Sequence, residues 1–187
     1  LPTGERVLAS LFQAVTPRTA GYNTADLTKM SDTSQAVTIL LMLTGGAPGS
    51  TAGGMKVTTL AVLAANAAAV FHRREEPQLF GRRLENSAVK NAAAILLLYL
   101  GLTFAGAAVI SAAEGLPLGV CLYETASATG TVGLTLGLTP RLGTLSQAVL
   151  ILLMFFGRVG GLTLIYAAFS GHDLTCARCP KEKITVG

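Results

Sequence analysis

Three short stretches of this 187-residue sequence carry the residues that could do chemistry, and that chemistry is not covalent. Thr19-Ala20-Gly21-Tyr22 and Thr131-Val132-Gly133-Leu134 are glycine-bearing loops without a carboxylate or an amine. The stretch Gly45-Gly46-Ala47-Pro48-Gly49-Ser50-Thr51-Ala52-Gly53-Gly54 places five glycines in ten residues. In such segments the active groups are backbone carbonyls. Glycine lets consecutive carbonyls turn the same way without a Cβ clash, and a set of carbonyls can replace the hydration shell of a cation. Arg158 is the one charge within the apolar run 145–170. At that depth it is either a functional group or an arginine snorkelling to the inner interface. Lys56, at the end of the glycine strip, reads equally well as facing an inner mouth or as snorkelling. Glu124 receives no role.

Other chemistries fit poorly. There is no nucleophile–base pair and no pair of carboxylates set for acid–base work. Cys176 and Cys179 form a C-x-x-C near His172, but a metal site needs a second pair of ligands. With Cys121 they read as reduced cytosolic thiols. Gly49 to Gly54 has the glycine spacing of a nucleotide P-loop, yet Met55 stands where lysine belongs and an apolar helix, not a strand, precedes it. The basic residues lie at the ends of apolar segments rather than on one surface interleaved with aromatics, which excludes nucleic acid as a partner.

The elements that must position these loops are membrane elements. Apolar residues make up 51% of the chain, charged residues 13%, and mean hydropathy is +0.56. The charged share is about half that of a soluble domain. A soluble enzyme, a disulfide-stapled secreted domain and a disordered tail are all poor matches. The start at Leu1 and the absence of a visible signal peptide lead to the expectation of an incomplete piece of a polytopic, all-α membrane protein. A short amphipathic helix is expected over 4–16, with Val7, Leu8, Leu11, Phe12 and Val15 at helical spacing, then a loop over 17–24. The apolar stretch 33–71 is too long for one span of about 20 residues and is broken by the loop 44–56. Non-helical backbone at membrane depth survives only inside protein or beside a water-filled cavity. A basic loop follows at 72–87, a span at 88–113, a short helix at 117–129, a loop at 130–136, a span at 145–170 and a basic tail at 171–187. The positive-inside rule puts the loop and the tail in the cytoplasm and both glycine loops outside.

The chain repeats itself at an offset of 112 residues. Thr19 matches Thr131 and Gly21 matches Gly133. Ser34-Gln35-Ala36-Val37 matches Ser146-Gln147-Ala148-Val149, and Gly45 and Gly49 match Gly157 and Gly161. A re-entrant helix and returning loop between spans is the pore-module architecture of cation channels, and Thr131-Val132-Gly133 copies the start of the Thr-Val-Gly-Tyr-Gly potassium filter. The short helices aim their negative C-terminal ends at the loops, which favours a cation. The plainer alternative is a pair of re-entrant loops with structural glycines only.

Val15-Thr16-Pro17-Arg18-Thr19-Ala20-Gly21-Tyr22-Asn23-Thr24 resembles the third filter loop of the Trk/Ktr/HKT potassium-transporter superfamily. Gly45-Gly46-Ala47-Pro48-Gly49-Ser50-Thr51-Ala52-Gly53-Gly54-Met55-Lys56 is similar to the loop interrupting the helix that follows. Ser127-Ala128-Thr129-Gly130-Thr131-Val132-Gly133-Leu134 resembles the fourth filter loop, and Phe156-Gly157-Arg158-Val159-Gly160-Gly161-Leu162-Thr163 the arginine-bearing segment of the last helix. The ending 179–187 is similar to that of Ktr-type subunits. Departures are Ala52 where glycine is also common, Tyr22 where phenylalanine is common, and Gly161 where Ktr-type members often carry proline.

The resemblance implies a third pore module without its first span (1–71) and a complete fourth (88–170), out of four around one pore. It implies Gly21 and Gly133 as filter glycines whose backbone oxygens meet potassium, with Thr19, Ala20, Tyr22, Thr131, Val132 and Leu134 shaping the loops. Gly45, Gly46, Gly49, Ser50, Thr51, Gly53 and Gly54 become an intramembrane gate. Arg158 becomes a barrier to cations beneath the filter and an anchor for gate-loop carbonyls. Potassium is then the transported ion, with sodium open as a coupled ion, and no organic cofactor is expected. The implied partners are the N-terminal pore modules, a second copy in a homodimer, a cytoplasmic nucleotide-binding ring docking on the basic loop and tail, and the lipid bilayer. The rival from another class is a non-conducting fragment that serves at most as an interaction piece. A self-assembling half-channel is a third.

Overall fold

A computed structural model describes residues 3–74 and 76–160 of the chain. The expected tail at 171–187, with Cys176 and Cys179, and the last part of the expected span 145–170, with Gly161, lie outside the described residues. The described chain is mostly helical: α1 Thr3–Val15, α2 Asp32–Leu43, α3 Val57–Phe71, α4 Asn86–Glu114, α5 Leu118–Thr129 and α6 Thr144–Val159. A two-stranded hairpin, β1 Gln78–Leu79 and β2 Arg82–Arg83, sits between α3 and α4.

Among the described residues, α4 alone is long and apolar enough to cross a membrane, with a mean hydropathy of 2.3 over its most apolar 18 residues. Its Ala- and Leu-rich sequence favours helix. Gly115, at φ 66°, ends it in the left-handed conformation that suits a helix C-terminus. α4, α6 and α2 surround α5, and α3 packs on α4. Tyr123 to Thr129 of α5 are all buried. Gly106 of α4 lets this packing close up: a Cβ there would stand 2.7 Å from Leu153 Cδ1 of α6. Small residues at helix crossings serve that purpose in membranes, where burial from water no longer drives association.

Two apolar clusters result. One joins Ala107 and Ile110 of α4, Cys121 and Ala128 of α5, and Leu150 and Leu153 of α6. The other lies under the loops and joins Met42, Leu43 and Met55 to Tyr99, Tyr123, Val132 and Leu134. α1 differs, because none of its residues is buried and its apolar stripe, including Leu8 and Leu11, is exposed.

The 112-residue offset recurs in the backbone. One-turn 3-10 helices stand at Leu27–Lys29 and Thr139–Arg141, and α2 and α6 begin at Asp32 and Thr144. Gln35 Nε2 donates to the Met30 carbonyl (3.2 Å) and Gln147 Nε2 to the Leu142 carbonyl (3.0 Å). The starts of the two helices are satisfied differently. Ser31 caps α2 with its own side chain. α6 begins after Gly143, so Glu114 reaches across from α4 and accepts from Gly143 N–H (2.8 Å) and Ser146 Oγ (2.6 Å).

Two differences from the sequence expectation have local causes. The basic loop 72–87 contains the hairpin, because Phe80 and Gly81 both take positive φ (50° and 74°), the geometry of a two-residue hairpin turn. The helix expected to run through 145–170 stops at Val159. Gly160 takes φ 89° and ψ 136°, outside the helical region and open only to glycine without strain.

Candidate functional site

The two short glycine loops share one backbone pattern. Thr19 (φ 63°) and Gly21 (φ 73°) are left-handed, as are Thr131 (φ 54°) and Gly133 (φ 90°), while Ala20 and Val132 are not. A left-handed threonine costs about 1–2 kcal/mol, so the surrounding structure must hold both threonines in place. Hydrogen bonds to the preceding helix ends contribute. Ala20 and Gly21 N–H donate to the Thr16 carbonyl (3.1 and 3.2 Å), Thr131 N–H to Ala128 (3.0 Å) and Val132 N–H to Ser127 (2.9 Å). In a planar trans peptide the carbonyl opposes the N–H. The oxygens of Thr19, Ala20, Gly130 and Thr131 therefore point away from the helix ends, and among the described residues none of them accepts a hydrogen bond. The Tyr22 carbonyl is different, since Thr16 Oγ1 donates to it at 2.7 Å.

The loops meet each other. A Cβ on Gly21 would strike the Val132 carbonyl, so Gly21 is required by close approach as well as by φ. Gly133 has open space around it. Thr131 to Leu134 line a cleft of about 590 Å³ together with Glu124, Ser127, Met154 and Arg158.

The glycine strip is a closed loop between α2 and α3. Its ends pair as Gly45 N–H to Met55 O (2.7 Å) and Met55 N–H to Leu43 O (3.1 Å). Ala47-Pro48-Gly49-Ser50 turns its tip, with Ser50 N–H bonded to the Ala47 carbonyl (3.0 Å) and Gly49 at φ 83°. Proline followed by a positive-φ glycine is the type II pattern. Gly45 faces the Gly53 carbonyl and Gly46 faces Ser50 Oγ and Ala52 Cβ, with no room for a side chain at either position. Gly53 N–H donates to Thr131 Oγ1 (3.1 Å), which ties the strip directly to the second glycine loop. Gly54, at φ 72°, lies under Gly130.

Two cations hold the tip. Arg158 donates from Nη1 to the Thr51 carbonyl, 107 residues away in sequence. Lys56 Nζ donates to the carbonyls of Ser50 (3.1 Å) and Ala52 (2.6 Å), so it bends back into the strip rather than snorkelling away. Three successive carbonyls, 50 to 52, are thus tied by two side chains. Gly157, one residue before Arg158, places its α-carbon so close to the Thr129 carbonyl that a Cβ would collide with it. That closeness positions the arginine beneath the end of α5.

Sequence reasoning gave Glu124 no role, and the structure gives it three partners. It is 3% exposed. Its Oε1 accepts from Thr135 Oγ1 (2.6 Å) and Leu136 N–H (2.9 Å), and its Oε2 from Thr139 Oγ1 (2.7 Å). The signal in the sequence was a single carboxylate in an otherwise neutral helix, with one threonine at the far end of the next loop and another just past it.

The sequence matches the family TrkH, described as cation transport protein, over residues 1–173. It is 37% identical over 183 residues to Ktr system potassium uptake protein B of Bacillus subtilis (strain 168), an overlap of 98% of this chain and 41% of that protein. It is 38% identical over 189 residues to potassium/sodium uptake protein NtpJ of Enterococcus hirae, covering 98% and 42%. To Ktr system potassium uptake protein B of Vibrio alginolyticus it is 32% identical over 187 residues, covering 100% and 41%. The chain spans about two-fifths of the length of these relatives. Family and relatives are transporters, not enzymes, and the family implies a membrane location. This chain, with its two matched glycine loops and the strip beneath them, belongs to the TrkH family of cation transport proteins.

Proposed function

We propose that this chain is the C-terminal part of a Ktr/Trk-type potassium-uptake subunit, holding the third pore module without its first span and the whole fourth module. Gly21 and Gly133, with Thr19, Ala20, Tyr22, Thr131, Val132 and Leu134, form half of a selectivity filter that handles potassium through backbone oxygens. The strip 45–54 is the gate below it, and Arg158 and Lys56 hold that gate shut. The observation carrying this reading is the shared pair of left-handed residues, threonine then glycine two positions on, in two loops that touch at Gly21 and Val132.

A second observation supports the module assignment. A cleft of about 470 Å³ lies between α1 and α2, lined by Gln13, Met30 and Leu41 among others. At the 112-residue offset these correspond to Thr125, Leu142 and Leu153, which border α4 in the second unit. The cleft is the berth of the third module's first span. Both side-chain polar atoms of Gln13 are buried there without a hydrogen-bond partner among the described residues, and a helix in that berth would supply one.

In the whole transporter the remaining filter loops complete the ring and two subunits pair in the bilayer. A cytoplasmic nucleotide-binding ring docks on the basic loop 72–87 and the tail. Sodium is a coupled ion in this reading. The test is complementation of a potassium-uptake-deficient strain by the full-length gene, with growth and rubidium uptake measured with and without sodium. Growth at low potassium is the expected result, and a normally inserted protein that moves no rubidium would overturn the assignment.

A further inference from the structure

We infer that Glu124 is a positioning residue for ion selection: it fixes the far side of the second glycine loop through hydrogen bonds, not through its charge. This rests on the reading of 130–136 as a filter loop. The geometry is specific. Glu124 sits midway along α5, before the loop, and its three donors lie at the loop's far end, Thr135 and Leu136, and beyond it, Thr139. Carboxylate, helix and returning chain therefore close a ring around Thr131 to Leu134. The donors are two hydroxyls and one backbone N–H, and Thr135 Oγ1 in turn accepts from Gly137 N–H (2.9 Å). A buried carboxylate with its lone pairs this well satisfied is rigid, because each donor lost leaves an unpaired buried acceptor.

The first loop lacks this brace. At the 112-residue offset the position of Glu124 is Phe12, and Thr135 and Thr139 become Asn23 and Leu27. There the loop is held from inside by Thr16 Oγ1 on the Tyr22 carbonyl, where the second unit has Ala128. Both loops are thus tied back at their far end, the first by a hydroxyl just after α1 and the second by a carboxylate within α5. The second keeps the Leu134 carbonyl free of any such bond among the described residues, and depends on Glu124 for its shape. A side chain on Gly133 would project into open space, and the residue stands at φ 90°, so no side-chain packing there holds it. The brace supplies that restraint.

Substitutions in the full-length transporter separate brace from charge. Glutamine keeps one acceptor oxygen for Thr135 and Leu136, and its amide can donate to the Thr139 hydroxyl; alanine removes everything. Rubidium and sodium influx are measured in vesicles, normalised to transporter in the membrane. Glu124→Ala should lower the rubidium-to-sodium ratio by about tenfold, the scale of a lost hydrogen bond to a buried charge. Glu124→Gln should stay within about threefold of the parent. If Glu124→Ala does not reach the membrane, Thr135→Val with Thr139→Val removes two donors and leaves the charge. That pair should shift the ratio in the same direction. An unchanged ratio in Glu124→Ala or in the double variant, or a glutamine variant as defective as alanine, overturns the inference. A parent transporter that moves no rubidium would instead overturn the filter reading beneath it.

Discussion

At the scale of single residues, Gly21 and Gly133, the proposed filter glycines, are not equivalent. Both have positive φ, so alanine at either costs about 1–2 kcal/mol in backbone strain. Gly21 also faces the Val132 carbonyl, whereas Gly133 faces open space. Gly21→Ala should therefore lower the amount of folded transporter, seen as loss from the membrane fraction. Gly133→Ala should insert normally and lose discrimination between rubidium and sodium. Arg158→Gln frees the Thr51 carbonyl and removes a positive charge from the proposed ion path. Cation flux should rise in the full-length protein, and unchanged flux at normal abundance would reject the gate role. Asp26, the exposed cap of the 3-10 turn Leu27–Lys29, offers a pH prediction. Thr28, by side chain, and then Lys29 hydrogen-bond its carboxylate and hold its pKa below the ordinary value. Its contribution to the 3-10 turn at Leu27–Lys29 is present above the ordinary carboxylate range and fades as pH falls through the lowered value. NMR titration of this loop should show that midpoint, and Asp26→Asn should abolish it.

At the scale of elements, α4 fits tightly against α6. Gly106 leaves no room for a methyl beside Leu153 Cδ1, and overpacking of this kind costs about 1–3 kcal/mol. Gly106→Ala should lower the thermal midpoint in detergent. Because the obstacle is the end of a flexible side chain, adding Leu153→Val should restore part of it. No restoration would mean the glycine serves backbone conformation instead of packing. The hairpin at 78–83 is a weaker element, tied by Leu84 N–H to the Pro77 carbonyl (2.9 Å) and an exposed Arg83–Glu76 ion pair (3.1 Å). Such a pair adds little to stability.

At the scale of the whole molecule, α1 is the uncovered part. It exposes an apolar stripe, and its buried anchor is at its end, where Thr16 is 1% exposed and Gly21 seats against the other loop. The second unit has α4 to cover the equivalent groove. Liposomes holding only this chain should show no rubidium flux, while the full-length transporter should. Flux from the chain alone would support a self-assembling half-channel.

The sequence by itself determined the helical membrane class, the three glycine segments and the 112-residue repeat. Those features are written in composition, in local backbone preference and in spacing, none of which needs long-range contact. The break at 44–56 was legible because glycine and proline punctuate an apolar run that would otherwise span. Only the tertiary structure decided which side chains meet across the chain: Arg158 with Thr51, Gly53 with Thr131, and Glu124 with Thr135, Leu136 and Thr139. The end of α6 at Val159 and the turn at Phe80 and Gly81 were likewise settled by backbone angles. A carboxylate in a helix looks alike in sequence whether it is solvated or braced; the donors that distinguish the two cases lie eleven to fifteen residues away and are brought to it only by folding.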